Sequence, residues 1–152
     1  AIRKFGEVVA ASMPVKPQNL VFVEGRAREV MMQARAAAVA SGTATLEACL
    51  LRCPTVLVYA ASAFTAFWAR LLIKGVKYLG LANIISGREI MPELLQEEMR
   101  AESIADKLGQ YLTDDAVRSQ VLQDLDAANA RLGGGGAASR AVEAIVRTLR
   151  DG

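Results

Sequence analysis

Histidine is absent from the 152 residues of this chain. That removes the side chain that most often acts as a general base or metal ligand near neutral pH. No Ser-His-Asp arrangement is available. Cysteine is almost as scarce. Cys49 and Cys53 lie four apart in a stretch of helical pattern and share a face rather than framing a set of bridges, the usage of a reducing compartment. A zinc site would have to be assembled from carboxylates, so no metal is expected. A surplus of one charge is lacking too: 18 basic and 16 acidic residues leave a formal charge of +2. The clustered basic face and exposed aromatics of a nucleic-acid binder are therefore missing. The longest uncharged run, residues 53–69 (CPTVLVYAASAFTAFWA), contains Pro54, Ser62 and Thr65 and falls short of the roughly 20 apolar residues that cross a bilayer. It reads as a buried strand followed by a helix. No secretory leader pattern precedes it, which points to the cytoplasm.

What remains is an alanine-rich chain, 53% hydrophobic, long enough for one domain with a substantial core. It opens on Ala1 inside an amphipathic pattern, IRKFGEVVAAS, and is expected to be a piece of a longer protein. Residues 2–12 predict a helix, Pro14 and Pro17 bracket a connection, and Leu20, Val21, Phe22 and Val23 form a short run of strand type. A short helix is expected over 26–34. Residues 36–40 read as a strand because the run is brief and a glycine follows, although alanine favours helix. A helix at 43–52, a strand at 55–59 (TVLVY) and a helix at about 64–74 continue the alternation. The fold class is α/β, a Rossmann-like parallel sheet with helices on both faces.

Beyond Gly75 the alternation weakens. Residues 76–91 read as a long structured loop, and helices are expected over 92–98, 101–112 and 115–131. Gly133 to Gly136 form a turn, and Ala138, Ala141, Val142, Ile145, Val146 and Leu149 mark the apolar stripe of a last helix.

In an open α/β sheet, ligands bind at the carboxyl ends of the strands, where helix N-termini direct free N–H groups outward. The stretch SGTATLE, residues 41–47, stands at such an end. Gly42 allows close backbone approach, Ser41, Thr43 and Thr45 carry hydroxyls, and the helix dipole favours an anion, a diphosphate being the natural occupant. One turn on, Glu47 can accept two hydroxyls of a ribose. The plain alternative makes Ser41 or Thr43 an ordinary N-cap and Glu47 a dipole-matched first-turn residue.

A second constellation, NIISGREIMPELLQ, gathers Asn83, Ser86, Arg88, Glu89, Glu93 and Gln96. Ser86 and Glu89 fit a capping box, Pro92 and Glu93 fit a helix start, and the Arg88 guanidinium could clamp a phosphate. A third stretch sets Phe64, Phe67, Trp68, Leu71 and Leu72 beside Arg70, Lys74 and Lys77. It suits either a core stripe or an anionic membrane surface.

Taken together, SGTATLE, the proline-led strand, the aromatic-basic helix and NIISGREIMPELLQE resemble the lipid-A-disaccharide synthase family, over its carboxyl-terminal half from about residue 20 onward. The resemblance implies the carboxyl-terminal domain of a GT-B glycosyltransferase, with extra C-terminal helices. Such an enzyme joins UDP-2,3-diacylglucosamine to 2,3-diacylglucosamine 1-phosphate with inversion and releases UDP. It works peripherally at the inner face of the bacterial cytoplasmic membrane and uses no cofactor, UDP-sugar being its substrate. By the same resemblance Ser41, Gly42, Thr43, Ala44 and Thr45 match the diphosphate loop, Glu47 the ribose contact, and Asn83, Arg88, Glu93 and Gln96 a polar segment lining the donor site. The catalytic acidic residue and the lipid acceptor belong to an amino-terminal domain that this sequence does not include. The chain alone is thus expected to turn nothing over, and a homodimer stays open. Arg35 stands where the family tends to carry an acidic residue. Other UDP-sugar enzymes of this architecture, a peptidoglycan-precursor transferase or a UDP-GlcNAc epimerase, and a non-catalytic α/β binding module are the alternatives.

Overall fold

The computed structural model describes residues 2–13, 18–40, 42–59, 77–133 and 136–151. Ser41, the helix expected at about 64–74 and the aromatic-basic stripe lie outside the described residues. The elements run α1 (Ile2–Ser12), α2 (Ala27–Gln33), β1 (Ala37–Ala40), α3 (Thr43–Leu50), β2 (Thr55–Tyr59), α4 (Leu81–Ser86), β3 (Glu93–Leu95), a 3-10 turn (Gln96–Glu98), α5 (Ala101–Thr113), α6 (Asp115–Leu132) and α7 (Ala137–Asp151).

The three strands form one parallel sheet in the order β1-β2-β3, with Ala37 beside Thr55, Leu57 beside Glu93 and Tyr59 beside Leu95. β2 is the centre, and its first residues Thr55, Val56 and Leu57 are fully buried. Alternate side chains of a strand point to opposite faces, and both faces are covered. Val56, Val58 and Leu94 pack with Ile104, Leu108 and Tyr111 of α5. Leu57 points the other way, toward Gly80 at the head of α4. On that second side Ala48 and Cys49 of α3 and Ala82 of α4 meet Leu125 and Ala128 of α6. This is the Rossmann-like α/β layering read from the alternation of apolar runs.

α6 closes the amino-terminal ends of the strands. It is 18 residues long, about 27 Å at 1.5 Å per residue. It begins against the α5 face through Val117 and ends against α3 and α4 through Leu125 and Ala128. Each strand is preceded by an arginine, and each arginine meets an aspartate of α6: Arg35 pairs with Asp115, Arg52 with Asp126 at 2.6 Å, and Arg88 with Asp124 through two contacts of 3.0 and 2.5 Å. Near the far end of α6, Arg131 donates to the Ile85 and Ser86 carbonyls, both at 3.0 Å, which satisfies the C-terminus of α4. Asp114 starts α6 by accepting from the Ala116 and Val117 N–H groups.

Three expectations are corrected. Residues 20–23 are not a strand: Leu20, Val21, Phe22 and Val23 are exposed coil, 36–76% accessible, because no ladder partner is offered to them among the described residues. The expected loop over 76–91 contains α4. Its six residues are pinned by contacts distant in sequence rather than by propensity. The expected helix over 92–98 is instead β3 and a 3-10 turn. The Leu57 N–H donates to Pro92 O at 2.8 Å, and pairing with a buried neighbour overrides the helical preference of Glu-Leu-Leu-Gln. The capping box also fails. Ser86 lies at the end of α4, its Oγ is buried without a partner, and Glu89 accepts from the Glu93 N–H at 3.3 Å. The stripe of α7 does form, with Val142, Ile145, Val146 and Leu149 facing outward.

Candidate functional site

The carboxyl rim of the sheet is where β1 gives way to α3. Gly42 is the N-cap of α3 at φ 133°, ψ −160°, a backbone conformation available essentially only to glycine. A Cβ built there meets no described residue within 4 Å. The glycine is therefore required by the chain path, and no described residue fills the space beside it. Among the described residues no side chain caps α3. The Thr43 and Ala44 N–H groups of this eight-residue helix consequently stand at the positive end of the dipole beside Gly42.

The residues of SGTATLE divide into two sets. Gly42 and Thr43 are exposed, and Ala44 and Glu47 are half-buried, one turn apart on the same helix. Thr45 is 1% accessible. Its hydroxyl donates to Gly42 O at 2.8 Å and its N–H reaches the same oxygen at 3.2 Å. The expected ligand-donating hydroxyl thus tightens the loop instead, and it holds Gly42 in its unusual geometry.

The polar segment also separates. Asn83 is completely buried and all its capacity is used. Nδ2 donates to Met91 O and to Glu93 Oε1, both at 2.7 Å. Oδ1 accepts from the Ile90 and Met91 N–H groups at 2.7 and 2.9 Å. Two donors and two lone pairs are the whole inventory of an amide side chain, so Asn83 has none left for a ligand. Glu93 receives the Leu79 and Gly80 N–H groups at 2.9 Å each, which turns its carboxylate onto the start of α4. Asn83 and Glu93 together pin residues 79–80 and 90–91 to β3.

Gln96, in contrast, follows the carboxyl end of β3 with φ 52° and is partly accessible. Tyr59 ends β2 beside Leu95 and is 38% exposed. The rim therefore carries Gly42, Thr43, Tyr59 and Gln96. Tyr59 was not singled out in the sequence; its position as the last residue of a strand was the available signal.

Arg88 sits elsewhere. It follows the C-cap of α4 and precedes β3, on the amino side of the sheet that α6 closes. The Asp124 hydrogen bond holds its guanidinium in the charged form more firmly than usual, and the same bond lowers the Asp124 pKa. Arg88 is thus engaged by Asp124, apart from Gly42 and Thr43.

The two thiols are buried. Loss of solvation pushes Cys49 up to about 11 and raises Cys53 as well, so neither is a thiolate near neutral pH. Cys49 and Asn129 tie α3 to α6, the Asn129 amide donating to Cys49 O at 3.0 Å.

Between β3, the 3-10 turn and α5 lies an open cavity of about 820 Å³. Glu89, Glu97, Glu98 and Asp106 line it with Arg100 and Lys107. Its acid-rich lining does not suit a diphosphate. Among the described residues no group of carboxylates and thiols could hold a metal ion, and no helix is long and apolar enough to cross a membrane.

Comparison with known proteins places this geometry in a lineage. The family model described as lipid-A-disaccharide synthetase matches residues 6–145. The lipid-A-disaccharide synthase of Myxococcus xanthus is 45% identical over 132 residues, 87% of this chain and 34% of that protein. The protein of the same name from Sulfurihydrogenibium sp. is 41% identical with the same two coverages. That of Geobacter metallireducens is 32% identical over 141 residues, 93% of this chain and 36% of the relative. The chain thus spans about a third of the length of the relatives it matches. With a family model covering nearly all of it and these identities beside it, the chain belongs to the lipid-A-disaccharide synthetase family.

Proposed function

We propose that this chain is the donor-nucleotide part of a lipid-A-disaccharide synthase, an inverting GT-B glycosyltransferase. Its substrates are UDP-2,3-diacylglucosamine and 2,3-diacylglucosamine 1-phosphate. One observation supports this reading most: the uncapped N-terminus of α3 opens at Gly42 on the carboxyl rim, while α6 shuts the opposite end. In this reading the diphosphate lies on the Thr43 and Ala44 N–H groups and the Thr43 hydroxyl, Ser41 belongs to the same loop, Glu47 accepts the ribose hydroxyls, and Gln96 borders the sugar. Thr45, Asn83 and Glu93 hold the backbone of the site in shape. Arg88 belongs to the Arg–Asp pairing with α6.

The chemistry follows from positioning and charge. An acceptor hydroxyl oxygen bonds to the anomeric carbon from the face opposite UDP. The bond from that carbon to the β-phosphate oxygen breaks, and the electron pair leaves with UDP. The helix N-terminus at Thr43 stabilises that developing charge. The proton of the acceptor goes to an acidic residue of an amino-terminal domain outside this chain, which also holds the lipid acceptor. The enzyme acts peripherally at the inner face of the bacterial cytoplasmic membrane and needs no cofactor.

Calorimetric titration with UDP tests the assignment. Glu47→Ala and Thr43→Val are each expected to weaken binding by about 1.5–3 kcal/mol, the worth of a hydrogen bond to a charged group. Arg88→Gln should leave the affinity unchanged. Equal affinity in the first two variants and the parent would remove the site.

A further inference from the structure

The two ends of α3 have different neighbours. Its N-terminus stands at the rim beside Gly42, and its C-terminus is held by α6. The last turn closes in a Schellman pattern: the Cys53 N–H donates to Ala48 O at 2.9 Å and the Arg52 N–H to Cys49 O at 3.0 Å. Arg52 takes the left-handed place that glycine usually fills, at φ 57°, and its guanidinium is bonded to Asp126 of α6 at 2.6 and 2.9 Å. One turn along α6, Asn129 meets Cys49 twice. Its Nδ2 donates to Cys49 O at 3.0 Å, and the Cys49 thiol donates to its Oδ1 at 3.5 Å. Beside these bonds Leu125 and Ala128 share a buried cluster with Ala48, Cys49 and Cys53. Apolar contact alone sets no direction. Two hydrogen bonds to a single residue, which weaken steeply when bent, fix the rotation of α3 about its axis.

We propose that Asn129 is a positioning residue of the donor seat. By holding Cys49 it sets the rotation of α3, and this short helix carries the setting to Thr43, about 9 Å back along the axis at 1.5 Å per residue. The proposal rests on the reading of the α3 N-terminus as the place of the diphosphate. Amides that must point at phosphate oxygens are sensitive to such a rotation, because a small misplacement of a binding group costs a large factor. Asn129 acts through α3 and not by contact with the nucleotide. A helix at the amino ends of the strands thereby takes part in binding at their carboxyl ends.

Asn129→Leu tests this on the full chain. It keeps the bulk of the side chain and removes both bonds, while Cys49 O retains the Arg52 N–H, so no bare carbonyl is left to unfold the protein. Arg131→Gln is the comparison, because it releases α6 from the Ile85 and Ser86 carbonyls of α4 and leaves the bonds to α3 in place. In calorimetry the affinity for UDP should fall about 10-fold in Asn129→Leu and stay within about twofold in Arg131→Gln. The Thr43 and Ala44 amide resonances, recorded without nucleotide, should shift in the first variant and not in the second. Affinity equal to that of the parent in Asn129→Leu would overturn the proposal. So would equal losses in the two variants, which would belong to a general loosening of α6. A parent chain that binds no UDP would instead remove the seat itself, and unmoved resonances in Asn129→Leu would then overturn the hold on α3 as well.

Discussion

Asn83 shows how a side chain with every sign of a ligand contact can be consumed by its own fold. Its amide closes four hydrogen bonds within residues 90–93. Asn83→Ala leaves the buried Ile90 and Met91 N–H groups unpaired at about 1–3 kcal/mol each, so a loss of about 3–5 kcal/mol is expected in urea denaturation. A loss below about 1 kcal/mol would mean that residues 90–91 find other partners. The polar identity of Asn83, Thr45 and Glu93 was plain in the sequence, but direction was not. Whether an oxygen faces a ligand or the chain's own backbone depends on segments far away in sequence. Gly42 is the opposite case. A glycine between a strand and a helix declares an unusual dihedral, and its φ of 133° is what the position requires.

Among the elements, those with periodic patterns were legible, and those held by pairing were not. β1 and β2 follow their short apolar runs, and α5 and α6 follow their stripes. β3 was hidden because Glu-Leu-Leu-Gln favours a helix until Leu57 and Tyr59 offer it a ladder. Residues 20–23 failed in the reverse sense, having strand composition and no ladder partner among the described residues. The contacts of α6 give this scale its test. Asp124 carries a pKa lowered from 3.8, first by the Arg88 hydrogen bond. A carboxylate depressed in the folded state adds stability that is present above its unfolded pKa and lost as pH falls through the folded one. Melting temperature measured from pH 6 downward should therefore drop more steeply in the parent than in Asp124→Asn. The variant should begin lower, and the two curves should approach each other below pH 3.8. Parallel curves would show that the pair contributes nothing.

For the molecule as a whole, the alkaline limb is set by buried acids that resist ionising. Burial takes Cys49 from 9.0 to about 11. It takes Tyr111 from 10.0 to about 12, with the Glu89 charge adding to the effect. Above pH 9 the unfolded chain releases these protons while the folded one keeps them. Stability that is complete below the unfolded values thus declines as pH rises through the folded ones. Circular dichroism melts between pH 8 and 11 should show this decline, and Cys49→Ala should flatten its first part. An unchanged slope in that variant would assign the limb to Cys53 and Tyr111. The α/β class and the layering were legible at this scale because alternation of apolar runs is a property of the whole chain. The cross-braced underside was not, because three arginines 17 to 36 residues apart give no hint that one helix collects them all.

That underside has a kinetic corollary. With α6 laid across the amino ends of the strands, the proposed seat at Gly42 is reached from the rim. In the enzyme proposed here, spent UDP must vacate the seat before another sugar nucleotide can be admitted, so the product is expected to behave as a competitor of the donor and not of the acceptor.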